Sequence, residues 1–471
     1  LDLKKKPIWI HCKGYLVRDD NMKPLYMIGC INEIGERQKA DNVSGLLGET
    51  GLRQYMDQQD TPLETGYLLR IGIDHFKEIN DNFGQEYGDF VLRKTADCIS
   101  GCISEAQKVY KLVADEFLIL DVFSDEVKDA DKLYDKVRNE IDRFIESNEF
   151  KVMYTVSGGI VPFAALKGNQ YSEALKLTDF ALNEAKKLGR NRCYIFNEET
   201  YRRFLRKREI TQELREAVNN GFRGFRAFYQ PVFAEDKKVS YGAEALMRFT
   251  SEKFGMISPA EFIPILEREG TVCELDFYVF EHVCQDIQRW LSKGIEPVRV
   301  SVNFSKNHLH NTHLAQEIIA LMQKYQIDSK YIEVELTEMS GYENYATLVS
   351  FVQNMRKNGV STSIDDFGTG YSSLNLLKDL DVDIIKLDKS FLNNLENHSQ
   401  SDVIVIKNIV NMVNELHMSV IAEGVETQSQ AEFLRKIHCR MAQGFLFDRP
   451  LPHDDFEKRL SDRHTYTFLA G

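Results

Sequence analysis

VSTSIDDFGTGYSSLNLLKDLDVDIIKLD, residues 360–388, contains two short apolar runs that each end in charged side chains. Val360 to Asp365 and Val382 to Leu387 read as strands, because β-branched and aliphatic residues fill them and a Gly/Ser-bearing stretch lies between. Asp365 and Asp366 close the first run, and Lys386 sits near the end of the second. Asp365, Asp366 and Lys386 thus stand at the C-terminal ends of their runs, and the neighbouring sequence repeats the arrangement.

From about residue 222 onward eight strand-like segments can be counted: 226–233, 239–246, 298–302, 331–336, 360–365, 382–387, 419–423 and 441–446. Helical patterns separate most of them, among them Cys273 to Leu291, Leu314 to Tyr325, Tyr345 to Lys357 and Val403 to Leu416. Eight strands with intervening helices predict a (β/α)₈ barrel. Only Ala234 to Lys238 separates the first two strands, too short for a parallel crossover, so that pair is expected to be antiparallel.

On this framework Glu244 lies near the end of the second strand, Asn303 just after the third and Glu335 near the end of the fourth. Asp365 and Asp366 close the fifth, Lys386 the sixth and Glu423 the seventh, while Gln443 lies within the eighth. Strand ends of a barrel converge on the face that carries chemistry. Carboxylates meeting there repel one another unless cations neutralise them, and an oxygen-only donor set suits Mg²⁺ or Mn²⁺ rather than zinc. Taken singly, each acid would read as a helix cap or a solvated ion pair. Their recurrence inside apolar runs such as VRVSVNFS and VDIIKLD argues for a metal site.

These residues stand in longer motifs: YQP at 229, EALMR at 244, VNFS at 302, ELTE at 335, DDFGTGYSS at 365, IKLDKSF at 385, AEGVET at 422 and QGF at 443. With them the chain resembles the EAL family of cyclic di-GMP phosphodiesterases over about residues 209–452. The resemblance implies a TIM-like barrel with two metals held by Glu244, Asn303, Glu335, Asp365 and Asp366, the last also counted as catalytic. It implies that Glu423 is the general base and that Lys386 orients the same water. Gln230, Leu246, Arg248, Glu426 and Gln443 fall at substrate-side positions, and Glu338 at one that steadies the loop Gly368 to Ser373. The implied reaction opens cyclic di-GMP to linear pGpG with Mg²⁺ or Mn²⁺. A non-catalytic cyclic di-GMP receptor or signalling scaffold is the alternative, which a missing ligand would have favoured. None is missing.

Between about 41 and 198 helical and strand patterns interleave: Leu46 to Met56 helical, Gly66 to Ile73 strand, Gly88 to Ile99 helical and Val109 to Leu120 a broken strand pair. Helix 128–147, strand 151–161 and helix 171–188 follow, which is an α/β domain. DNVSGL at 41, IDHFKEINDNFGQEYGD at 73, ADEF at 114, VSGGI at 156 and DFALNEAKKLGRNR at 179 resemble a GGDEF diguanylate cyclase domain. Two departures make it degenerate. Val113 and Ala114 stand where the family has two glycines, and Gly72 stands where its first metal-binding aspartate belongs. Ser104 to Gln107 also lack the RxxD inhibitory product site. Asn80 and Asp89 at guanine-reading positions and Lys186 and Arg190 at phosphate positions are intact, which leaves GTP binding and mere surface residues as open readings. A cyclase or bifunctional enzyme is disfavoured.

Residues Ile8 to Val17 and Leu25 to Ile31 read as two strands joined at Arg18 to Asn21, followed by a charged helical stretch from Glu33 to Asp41. They resemble the end of a PAS sensor domain and its exit helix; an N-terminal hairpin packed on the next domain is the other reading. The expected layout is therefore 1–40 PAS-like remnant, 41–198 degenerate GGDEF domain, 199–221 helical connector and 222–460 EAL domain. The arginines of the connector, Arg202, Arg203, Arg206 and Arg208, read as a solvated helix face.

Composition agrees with folded domains: of 471 residues, 43% are hydrophobic and 28% charged. Asp and Glu number 72 against 59 Lys and Arg, and the net charge of −13 opposes binding of a nucleic acid polymer. Eight cysteines without CxxC or zinc spacing suggest reduced thiols and a cytoplasmic setting. No apolar run approaches the roughly 18 residues of a membrane span. The start at Leu1 leaves room for an upstream sensor or membrane segment. A homodimer is expected, with cyclic di-GMP as substrate and GTP as a candidate effector.

Overall fold

The computed structural model describes residues 9–18, 24–34, 40–59, 63, 65–124, 127–147, 152–168, 170–234, 240–337, 345–367, 380–393 and 400–462. The chain divides into two compact units, Leu1–Leu205 and Arg206–Gly471.

In the first unit β1 (Trp9–Arg18) and β2 (Pro24–Ile34) form an antiparallel hairpin. The helix expected over Glu33 to Asp41 is corrected at its described ends. Glu33 and Ile34 pair with Ile10 and Trp9, so their backbone groups are already spent in the hairpin, and Ala40 bridges to Leu47. A six-stranded sheet follows in the order β3 (Leu47–Gly48), β5 (Gln107–Lys111), β6 (Glu116–Asp121), β4 (Tyr67–Ile73), β7 (Val156–Pro162), β8 (Cys193–Ile195). The helical reading of Leu46 to Met56 yields its start to β3, and the helix itself runs Glu49–Asp57. Alternate residues of central β4 feed two cores. Tyr67, Leu69, Ile71 and Ile73 pack with Val91, Ile99 and Val137, whereas Leu68 packs with Leu52, Leu118 and Phe163. Each such side chain contributes roughly 1.5–3 kcal/mol by leaving water. Helices Gln85–Cys102, Val127–Ser147 and Tyr171–Lys187 match the sequence reading in type, while the short helix Phe76–Phe83 was not anticipated.

Helix Glu198–Asn219 carries the connector's arginines, of which Arg202, Arg203 and Arg206 pair with Glu198, Glu199 and Glu261 in turn. Its Ile210, Leu214 and Ala217 join the core of the second unit.

Among the described residues of that unit, eight strands close into a barrel: β9 (Phe225–Ala234), β10 (Gly242–Ser251), β12 (Arg299–Phe304), β13 (Ile332–Thr337), β14 (Ser361–Phe367), β15 (Ile384–Leu387), β16 (Ser419–Ala422) and β17 (Met441–Ala442). β9 runs antiparallel to both its barrel neighbours, β10 and β17, and the other pairs are parallel. The short first connection had predicted the antiparallel β9–β10 pair. Two further short strands, β11 (Gly255–Ile257) against β10 and β18 (Leu451–Pro452) against β9, and the helix Pro259–Glu269 were not foreseen. The last barrel strand is shorter than the expected 441–446. After Ala442 the chain folds over Val425, so close that a Cβ on Gly444 would lie 2.1 Å from the Val425 carbonyl oxygen, and pairing stops there.

Candidate metal centre

Parallel pairing sets neighbouring side chains on the same face, and the register here is specific: Glu244 opposes Ser301, Asn303 opposes Glu335, Glu335 opposes Ser363, and Lys386 opposes Ile421. Glu244, Asn303, Glu335 and Lys386 therefore all turn into the barrel near its C-terminal rim. Lys386 is fully buried. Its Nζ lies 2.5 Å from Glu335 Oε1 and 3.1 Å from both Glu244 Oε2 and Glu423 Oε1.

Glu244 is held from three sides. Asn303 Nδ2 donates to its Oε1 at 3.0 Å, Gln443 Nε2 to its Oε2 at 2.6 Å, and Lys386 adds the charge. Gln443 Nε2 also reaches Gln230 Oε1 at 3.1 Å, which ties the first and eighth strands to the site. Strand alternation would turn Asp366 away from its neighbour. A bulge in β14 between Ile364 and Phe367 and a left-handed backbone at Asp366, φ 54°, change that, and carboxylate oxygens of Asp365, Asp366 and Glu423 lie within 4.8 Å of one another. Oxygens of Glu244, Glu335 and Glu423 meet the same limit.

The electrostatics follow from this crowding. Burial opposes ionisation of Glu244, but Lys386 and the two amides outweigh it and hold its carboxyl below the ordinary value. Burial and neighbouring carboxylates outweigh Lys386 elsewhere, pushing Glu335 well above the usual range, Asp365 upward, Asp366 up to about 6 and Glu423 up to about 8. Burial disfavours the Lys386 ammonium, yet Glu244, Glu335 and Glu423 raise it well above its ordinary value. Glu335 Oε2 and Asp365 Oδ1 are buried without a hydrogen-bond partner. Buried carboxyl oxygens left without donors, in groups whose charge burial and neighbouring carboxylates oppose, fit a hard divalent cation.

The other predicted positions differ in setting. Leu246 and Arg248 follow Glu244 on β10. The Arg248 guanidinium lies over the Phe228 ring at 5.8 Å and donates to the Met247 carbonyl. Glu426 is exposed in the turn before helix Gln428–Lys436, where its amide donates to Gln430 Oε1 at 2.8 Å. Glu338 and the loop Gly368 to Ser373 lie outside the described residues. Glu333, buried on β13 two residues before Glu335, was not singled out from the sequence. The alternation in IEVELT was the available signal.

In the first unit Asn80 lies against Gly88, whose added Cβ would sit 1.9 Å from Asn80 Oδ1, and Asp89 is the next residue. A Cβ on Gly72 would stand 3.1 Å from Leu182 Cδ2 and 3.2 Å from Lys186 Nζ, so the lysine ammonium lies beside the position where the resemblance expects an aspartate. Lys186 Nζ is 3.9 Å from Glu116, which is also gripped by Arg70. Val113 is exposed, and Ala114 takes a left-handed φ of 54° where glycine would be at ease. Arg190 is exposed at φ 58°.

Residues 211–450, just over half of the chain, match the family model described as EAL domain. The chain belongs to the EAL domain family. Residues 40–192 match the model described as Diguanylate cyclase, GGDEF domain. Among curated relatives, the cyclic di-GMP phosphodiesterase NbdA of Pseudomonas aeruginosa is 33% identical over 439 residues, covering 92% of this chain and 54% of its own. The bifunctional diguanylate cyclase/cyclic di-GMP phosphodiesterase MucR of the same organism is 29% identical, covering 82% and 56%. This EAL-family chain thus spans about half the length of the curated relatives it matches. Of solved structures, the EAL enzyme Bd1971 in its cAMP-bound form superposes with a TM-score of 0.50 at 26% identity, covering 56% of this chain and 72% of that one.

Proposed function

We propose that residues 222–460 are a phosphodiesterase that hydrolyses cyclic di-GMP to linear pGpG with Mg²⁺ or Mn²⁺. The observation that carries the proposal is the gathering of Glu244, Glu335, Asp365, Asp366 and Glu423 around buried Lys386, with two buried carboxylate oxygens left without donors. The names of NbdA and MucR support the choice of substrate. Glu244, Asn303, Glu335, Asp365 and Asp366 would hold the metals, which when bound acidify water and neutralise phosphate charge.

The chain's own groups divide the remaining work. Glu423, whose carboxylate oxygen lies within 4.8 Å of those of Asp365 and Asp366, is placed to take the proton of the attacking water. Lys386 fixes the Glu423 carboxylate at 3.1 Å and orients the same water. The new P–O bond forms as the bond to the 3′ oxygen breaks, and that oxygen leaves with a proton. Arg248 meets the phosphate, while Gln230, Leu246, Glu426 and Gln443 line the nucleotide side.

The first unit is proposed as a degenerate GGDEF domain, residues 41–198, which binds GTP through Asn80, Asp89, Lys186 and Arg190 as an effector and makes no cyclic di-GMP. Residues 1–40 are taken as the end of a PAS-like sensor, 199–221 as the connector, and the working form as a cytoplasmic homodimer. Chromatography of cyclic di-GMP incubated with the protein and Mg²⁺ or Mn²⁺ tests the central claim. Binding of the dinucleotide with no pGpG under either metal would establish the receptor reading instead.

A further inference from the structure

Asn303 must present its amide from the last turn of β12, where Nδ2 donates to Glu244 Oε1 at 3.0 Å. The exit of that strand is held by a helix remote from the carboxylates. Asp276, buried on helix Val272–Ser292, accepts the Ser305 N–H on Oδ2 at 2.8 Å, and the same oxygen lies 3.1 Å from His308 Nε2. His308 is itself only 3% exposed, with its ring 5.4 Å from Phe277 and 5.2 Å from Phe304. Ser305 in turn caps the 3₁₀ turn Lys306–His310 through its hydroxyl. One buried oxygen thus gathers the backbone two residues past Asn303 and the middle of the turn that follows it.

We propose that Asp276 and His308 are a positioning pair for Asn303, fixing the backbone from which its amide reaches the metal centre; this rests on reading Asn303 as a ligand. Groups that orient a ligand from behind set affinity because a misplaced donor has to be reorganised on binding. A pair that served folding alone would change stability and leave the metal affinity as it was. Asp276→Ala removes the acceptor, Asp276→Asn keeps an oxygen able to accept both donors, and His308→Phe removes only the imidazole while keeping an aromatic ring between Phe277 and Phe304.

The test measures Mn²⁺ binding to the full chain by the resonance of free Mn²⁺, beside melting in chelator. Asp276→Ala should bind Mn²⁺ about 10- to 100-fold more weakly than wild type. Asp276→Asn should restore affinity to near wild type, and His308→Phe should fall between the two. Cys284→Ala, a truncation on the same helix outside this contact, should lower the melting temperature and leave Mn²⁺ affinity unchanged. Wild-type affinity in Asp276→Ala, or in His308→Phe should the alanine variant not fold, overturns the inference alone. A wild-type chain that binds no Mn²⁺ overturns the metal reading and this inference together.

Discussion

Replacing Lys386 by Met exposes the charge balance at the barrel rim. The ammonium is fully buried and touches Glu335 at 2.5 Å and Glu244 and Glu423 at 3.1 Å each, so its loss leaves buried Glu244 and Glu335 and partly buried Glu423 without their counter-ion. Breaking a buried pair from one side costs about 3–5 kcal/mol. In a unit of this size that is a melting shift of about 6–20 °C. The pH dependence has a definite sign. Glu423 and Glu335 have folded pKa values above their unfolded ones, so their contribution to stability is present below the unfolded value of 4.5 and is lost as pH rises, for Glu423 through about 8. Without Lys386 both carboxyls move further up. The deficit of Lys386→Met should accordingly be large at pH 8.5, small at pH 5, and reduced at pH 8.5 by saturating Mn²⁺. Trp290 is fully buried in the barrel core, and the chain has one other tryptophan, Trp9, so thermal fluorescence in a Trp9→Phe background reports this unit. A deficit below about 2 °C in chelator at pH 8.5, or one that grows as pH falls, would refute the reasoning.

Asp365→Ala or Glu335→Ala should abolish pGpG formation, because each removes a proposed metal ligand, whereas Glu423→Ala should retain cyclic di-GMP binding by calorimetry and still fail to cleave. GTP incubated with the Asp365→Ala protein, chosen so that the product is not destroyed, should give no cyclic di-GMP, since Gly72 offers no carboxylate and the Lys186 ammonium lies 3.2 Å from where its Cβ would stand; detection of that product overturns the assignment. GTP should speed hydrolysis or lower the half-saturating substrate concentration, and a coupling of about 1–3 kcal/mol corresponds to roughly 5- to 150-fold. Asp89→Ala should erase that response, and calorimetry showing no GTP binding to the chain would leave the first unit as a spacer.

The barrel was legible because its information is local and repeated: short apolar runs ending in Glu244, Glu335, Asp365 and Glu423, and a first connection, expected over Ala234 to Lys238 and found between Ala234 and Gly242, too short for anything but antiparallel pairing. The same locality explains the failures. Glu33 and Ile34 have helix-compatible charge spacing to their C-terminal side, but cross-strand partners at Trp9 and Ile10, more than twenty positions away in sequence, decide their state. β17 ended early because Gly444 approaches a backbone, that of Val425, which no periodicity reveals. Asp366 was placed at the site from its motif, yet the left-handed turn that brings it beside Asp365 had no sequence signature beyond the tolerance of Asp for that conformation. Asp276 shows the limit most clearly. It sits on an amphipathic helix face where a lone acid reads as solvated, and only the fold brings it to Ser305 and His308. Residues that touch reacting groups recur at strand ends and can be counted in a sequence. Residues that hold the strand ends in place are assembled by tertiary contact, and each must be found by asking where a buried donor near the site finds its acceptor.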